Sequence, residues 1–221
     1  MGRLDWSVLW RYRAVFLHGL KITLHVSVVA IVLATIIGTL VGLCRLSRNK
    51  LISGLAYVYI EIIRNTPLLV QLFVIYFGIG QFIHYKTEFW PATVGLAIFA
   101  GSYVAEIVRA GIQSVARGQM EAALSLGMDY RQAMRYVVLP QAFRRILPPL
   151  TGQFISLIKD SSLVSFLALT DITHAARKVT ASTFQAFVVY VGAAFLYFIL
   201  TASLSQLAGL VERKVARSAR S

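Results

Sequence analysis

The chain has 221 residues, of which 57% are hydrophobic and 14% charged, and its mean hydropathy is +0.70. That composition lies outside the soluble range and places the chain in a lipid bilayer. The formal net charge of +13 does not point to nucleic acid, because the 22 basic residues are spread between apolar blocks. A single cysteine, Cys44, excludes an internal disulfide and a cysteine-rich metal site.

Residues 1–21 mix Trp6, Trp10 and Tyr12 with Arg3, Arg11, Arg13 and Lys21, which predicts an N-terminal segment lying at the membrane interface. Residues 22–44 carry no charge if His25 is neutral, and 23 residues suffice for the ~20 that cross a ~30 Å hydrocarbon core. This first span is expected to stay as an anchor, since no cleavage site follows it. Residues 51–83 form the second span, interrupted by Glu61, Arg64 and Pro67. Two readings compete there. Glu61 and Arg64, at i and i+3, form a local ion pair beside a tolerated proline kink. Alternatively, the Asn65-Thr66-Pro67 break frees backbone groups that line a polar path with Gln71. Gly78, Gly80, Lys86 and Glu88 are read as the following turn. The third span, 89–112, begins through Trp90 and Pro91, and Gly101-Ser102 permits close helix approach. Glu106 and Arg109 repeat the i, i+3 pairing and either close the helix end or touch a neighbouring helix.

A basic, non-spanning loop over 113–145 follows. Met120, Ala123, Leu124 and Gly127 fall at i, i+3, i+4 and i+7, so a short helix carries a low apolar face. Gly127 suits the left-handed position that ends it. Asp129 with Gln132 has the form of an N-cap and its reciprocal partner, and Pro140 is expected to stop the second helix. The expected product is a bent pair of short helices showing small side chains and the Glu121 carboxylate. The fourth span, 146–170, contains Lys159 and Asp160. Charge at that depth is costly, so both face protein or water, either as a packing device or with Asp160 and Gln153 on one stripe of a polar passage. A polar connection at 171–182 is expected to leave His174 solvated. The fifth span is 183–211, and 212–221 is a basic tail. Counting Lys and Arg by side gives thirteen on the side of the 113–145 loop and C-terminus against eight on the other, with Arg64 inside a span. The N-terminus is therefore external and the C-terminus cytoplasmic.

Glu121-Ala122-Ala123, Gly127, Val137 and Leu139-Pro140 resemble the EAA loop of bacterial ABC-importer permeases, with Val137 where the pattern has Ile. Arg64 to Gln71, Glu106 to Ser114 and Lys159 to Ser165 are similar to segments of the polar amino acid uptake branch. The resemblance covers about Gly19 to Glu212. It implies an all-α integral membrane protein of the type I ABC importer permease kind with five transmembrane helices. It also implies a second permease subunit (homo- or heterodimer), an ABC ATPase subunit that carries ATP and Mg, and an extracytoplasmic amino-acid-binding protein, all at a bacterial inner membrane. Glu121, Ala122, Ala123, Gly127, Leu139 and Pro140 would couple to the ATPase. Thr66, Gln71, Gly101, Ser102, Gln153 and Asp160 would line the substrate path.

The sequence contains no Gly-x4-Gly-Lys-Ser/Thr loop, so ATP hydrolysis is expected on a partner chain and no cofactor or metal on this one. Nucleophile elbows and His-x3-His pairs are also lacking, so catalysis is not expected. A stand-alone channel or secondary transporter is the competing class; it would need no docking loop, and many such folds carry internal repeats, of which none is evident. A membrane-anchored scaffold is a third.

Overall fold

The computed structural model describes residues 4–78 and 87–217; Gly80, Lys86 and Arg220 lie outside the described residues. Every regular element among them is helical. In order these are α1 (Ser7–Arg11), α2 (Arg13–Arg45), α3 (Lys50–Arg64), α4 (Leu68–Phe73), α5 (Phe89–Gln113), α6 (Arg117–Ser125), α7 (Tyr130–Ala133), α8 (Leu139–Asp160), α9 (Ile172–Thr183) and α10 (Ala186–Arg217). Wide five-residue π turns extend α4 and join α7 to α8, and a 3₁₀ stretch, Ser161–Leu167, continues α8.

The core is the crossing of α2 and α5. Val26, Ala30, Ala34, Gly38 and Gly42 recur every fourth residue and are all buried, forming a ridge of mostly small side chains along α2. A Cβ on Gly38 would lie 2.7 Å from the Gly101 carbonyl oxygen, and one on Gly42 equally close to that of Ala105, so the two backbones nearly touch. The opposite face of α2 exposes Val28, Val32, Ile36 and Leu40, and α10 exposes Phe187, Phe195 and Phe198. Such faces are stable only against hydrocarbon or another apolar chain.

α2, α5 and residues Ala186–Leu210 of α10 are long and apolar enough to cross a membrane, and α3 with α4 and its π turn passes the same test only as a pair, bent by 106° at the break. α8 falls outside this set. Its uncharged stretch, 146–158, rises only ~20 Å at 1.5 Å per residue, and Arg144, Arg145, Lys159 and Asp160 bracket it.

Helix α2 begins at Arg13, so the helix of the first span runs back into the N-terminal segment. Two expectations about elements require correction. Pro140 does not stop a helix: it occupies the first turn of α8, where its missing N–H has no partner to lose. The supposed polar connection at 171–182 is helix α9, with Ala175, Ala176 and Val179 buried. Asp171 caps it, accepting from Thr173 N at 3.1 Å and His174 N at 2.8 Å, while Tyr197 Oη donates to the same carboxylate at 3.0 Å. Burial pushes the Asp171 carboxyl above its ordinary value, and these hydrogen bonds oppose the shift. Ile172 N donates to Thr23 Oγ1 at 3.2 Å, so α9 is clasped between α2 and α10. His174 is not simply solvated, since its Nδ1 lies 3.0 Å from Arg177 Nη2, which donates to the Ser165 carbonyl at 2.9 Å.

Candidate functional site

Two regions hold the residues singled out in the sequence. The first is the bend between α5 and α8. Gly127, at φ +84°, ends α6 in a Schellman motif: Gly127 N donates to Leu124 O at 3.0 Å and Met128 N to Ala123 O at 3.2 Å. Two residues later the capping box forms as its spacing predicts, with Gln132 N donating to Asp129 Oδ1 at 2.8 Å and Asp129 N to Gln132 Oε1 at 2.9 Å. Beneath the bend, Val115, Val138 and Ala142 are buried with Met120, Met134 and Ile146 packed against them. Gln141 Nε2 donates to Gln119 Oε1 at 3.0 Å, and Arg145 donates to the Ser114 carbonyl at the end of α5. The bend is thus fastened to α5 and α8 along one side.

Its other side is open. Glu121, Ala122, Gly127, Leu139 and Pro140 are exposed, but Ala123 is only 3% exposed and belongs to the fastened side. Its single methyl lets α6 lie close over α7 and its π turn, so Ala123 shapes the bend without presenting a surface. Sequence reasoning missed two residues. Leu124, placed on the low apolar face but not among the coupling residues, is 44% exposed, and Leu126 is 81% exposed. Leu126 immediately precedes the left-handed glycine, where the chain turns and throws its side chain outward; that position was the available signal. Exposed leucines beside a carboxylate on a non-spanning bend are what a protein partner covers.

The second region is the break between α3 and α4. Ending a helix in lipid strands its last carbonyls, and here three of them find side-chain donors nearby. Asn65 Nδ2 donates to Glu61 O at 2.8 Å, Thr66 Oγ1 to Ile62 O at 2.8 Å, and Gln71 Nε2 to Ile63 O at 2.7 Å. Gln71 Nε2 also lies 2.8 Å from Thr66 Oγ1, so Thr66 and Gln71 staple the bend together. Three of the backbone groups that the break would free are therefore answered within the chain. Gln71 Oε1 is a buried acceptor without a donor among the described residues. Neither does the Glu61–Arg64 ion pair form: Glu61 accepts from Asn65 at 3.0 Å, and the Arg64 guanidinium sits 5.0 Å from the centre of the Tyr103 ring. Replacing Gln71 by leucine is expected to lower stability by about 1–3 kcal/mol, because the Ile63 carbonyl loses its donor; chemical unfolding in detergent measures this.

Leu68 and Leu72 of α4 share a core with Leu157 and Val164, which holds the break against the end of α8. Gln153 and Asp160 lie half-buried on α8, and the Asp160 carboxylate has no hydrogen bond or ion pair among the described residues. Gly101 and Ser102 are placed differently. Both are buried in helix packing, Gly101 against Ile37 of α2 and near the Tyr59 hydroxyl, and Ser102 Oγ donates to its own helix at Phe99 O. On α5, Glu106 and Arg109 form an ion pair within one helix, and Arg109 also donates to Gln113.

Residues 30–217 match the family described as binding-protein-dependent transport system inner membrane component. The chain is 39% identical to the probable glutamine ABC transporter permease protein GlnM of Bacillus subtilis, over 96% of this chain and 98% of that one. It is 35% identical to the arginine transport system permease protein ArtQ of the same organism and 36% identical to the glutamine transport system permease protein GlnP of Escherichia coli K12, each over 96% of this chain and 97% of the relative. A crystal structure of an amino acid ABC transporter with histidines superposes with a TM-score of 0.91 at 41% identity, covering 96% of this chain and all of that one. The methionine transporter MetNI in an inward-facing form shares the fold at a TM-score of 0.81 and 20% identity. With its matched residues taking in both the bend and the broken helix, the chain belongs to the family of binding-protein-dependent transport system inner membrane components, as a permease subunit of the type I ABC importer fold.

Proposed function

We propose that this permease carries a polar amino acid inward across a bacterial inner membrane by alternating access. Five crossings are assigned: α2, the α3–α4 pair, α5, the second half of α8 continued by its 3₁₀ stretch, and α10. The N-terminus lies outside and the C-terminus in the cytoplasm. A second permease subunit completes the path, an extracytoplasmic binding protein delivers the substrate, and a separate ATPase binds ATP and Mg. The observation that carries the reading is the bend itself, fastened to α5 and α8 on one side and exposing Glu121, Ala122, Leu124 and Leu126 on the other. A rigid connection to two crossing helices is what lets a motor on the exposed side move them. Stoichiometric co-purification of an ATPase subunit from detergent tests it, and its reproducible absence would favour a carrier that works alone.

In the same proposal Asp160, Gln153 and the Gln71–Thr66 staple face the path, while Gly101 and Ser102 set the helix spacing behind it. An unpaired carboxylate suits the ammonium group common to all amino acids. Asp160→Asn is expected to cut uptake about tenfold or more, or to change which amino acid competes, at unchanged protein yield. Uptake of labelled amino acids into vesicles reads this; lower yield with unaltered selectivity in the surviving protein would assign Asp160 to packing instead.

A further inference from the structure

We propose that the recess between the end of α2 and the start of α3 holds the phosphate of an anionic phospholipid. The recess has a volume of about 270 Å³ and is lined by Arg45, Arg48, Lys50, Ser53 and Tyr57. Arg45 is set in place, with Nη1 donating to Ser53 Oγ at 3.0 Å and the guanidinium 4.9 Å from the centre of the Tyr57 ring. Ser53 Oγ in turn donates to the Arg45 carbonyl at 3.0 Å. None of the three cations is in an ion pair among the described residues; Glu106, the acid whose field Arg45 contributes to, is already paired with Arg109. A fixed guanidinium with two further cations, none of them in an ion pair among the described residues, calls for an anion.

The neighbouring face of α3 identifies which anion. Lys50, Ser53 and Tyr57 line the recess at i, i+3 and i+7, and one residue round the helix Leu51, Leu55, Val58 and Ile62 form an apolar stripe at i, i+4, i+7 and i+11. Leu51 is 71% and Leu55 65% exposed. A basic, hydroxyl-lined recess opening beside an uncovered hydrocarbon-seeking stripe matches a headgroup phosphate with its acyl chains alongside, and a free phosphate would leave the stripe bare. Lipid phosphates at this depth lie next to Lys and Arg flanking a span, with ~1 kcal/mol available per cation. The inference rests on the proposed orientation, which sets this end of α2 at the cytoplasmic surface; it does not depend on the substrate.

The test uses the complete transporter with its ATPase, extracted, delipidated and mixed with phosphatidylglycerol or phosphatidylcholine in detergent, with bound lipid counted by native mass spectrometry. Wild type is expected to retain phosphatidylglycerol over phosphatidylcholine, and R48Q/K50Q to lose that preference on the order of tenfold. The charge-matched R144Q/K178Q pair is expected to keep it, and excess inorganic phosphate is expected not to displace the lipid. Equal loss in the control pair would reduce the effect to general surface charge, displacement by phosphate would make this a soluble-anion site, and retention by R48Q/K50Q or exclusion of lipid by the bound ATPase would overturn the assignment. Because the readout is lipid, failed amino acid uptake leaves the result unaffected. Modification of a cysteine at Ser47, in a chain with Cys44→Ala, by a reagent confined to one side reports the orientation separately.

Discussion

Glu121→Lys leaves the permease inserted and folded but is expected to reduce uptake by about tenfold or more and to strip the ATPase during purification. The Glu121 side chain is exposed and its carboxylate has no hydrogen bond or ion pair among the described residues; its backbone carbonyl accepts from Ser125 Oγ at 3.0 Å. Nothing inside the protomer is lost when its charge is reversed. Across an interface, by contrast, losing a hydrogen-bonded charge costs about 2–5 kcal/mol, and a lysine would be repelled by whatever cation paired with the carboxylate. Two measurements are needed: membrane content of the variant by blot, and the amount of ATPase that co-elutes with it. Leu126→Asp is expected to act in the same direction through desolvation, since Leu126 is exposed at the turn and a carboxylate there cannot be covered without a partner. Normal uptake with a full complement of ATPase in both variants would remove the docking role from this bend.

Features set by neighbouring residues were legible before the structure. Gly127 and the Asp129/Gln132 box involve contacts within five residues, so local chemistry alone decides them. Pro140 was misread because proline is disfavoured inside a helix and favoured at its start, and the sequence pattern does not say which side of the boundary it marks. Helix α9 was missed because its four-residue buried face, Ile172, Ala175, Ala176 and Val179, is interleaved with Thr173, His174, Arg177 and Lys178, and because its Asp171 cap reads as a loop residue unless Tyr197 is known to cover it. Spacing put Glu61 and Arg64 on one helix face but could not show that Tyr103, on another helix, takes the guanidinium. The staple from Gln71 back to Ile63 crosses a sharp bend, a closure no periodicity predicts. The path assignment of Gly101 and Ser102 turned on the same difficulty: small residues signal close approach, while the partner that approaches is settled by packing.

Gly38→Ala tests that packing and is expected to be among the most destabilising single changes in the chain. The added Cβ would lie 2.5 Å from Val104 Cβ, 2.6 Å from Val104 Cγ1 and 2.7 Å from the Gly101 carbonyl oxygen. Restoring ordinary van der Waals separation requires α2 and α5 to part by roughly 1 Å, and overpacking of this kind costs about 1–3 kcal/mol. The loss extends along the ridge, because Ala34 and Gly42 sit on the same stripe and move with Gly38. Thermal unfolding in detergent is expected to show a lower midpoint and poorer yield. Gly209→Ala on α10, where nothing lies within 4 Å, is expected to be neutral or to gain up to about 1 kcal/mol of helix propensity. Combining Gly38→Ala with Val104→Ala removes the γ carbons but leaves a Cβ and the carbonyl oxygen, so rescue is expected to be partial. Full rescue would place the conflict in one side chain; no rescue would place it in the two backbones, whose separation then fixes where α5 carries the bend between it and α8.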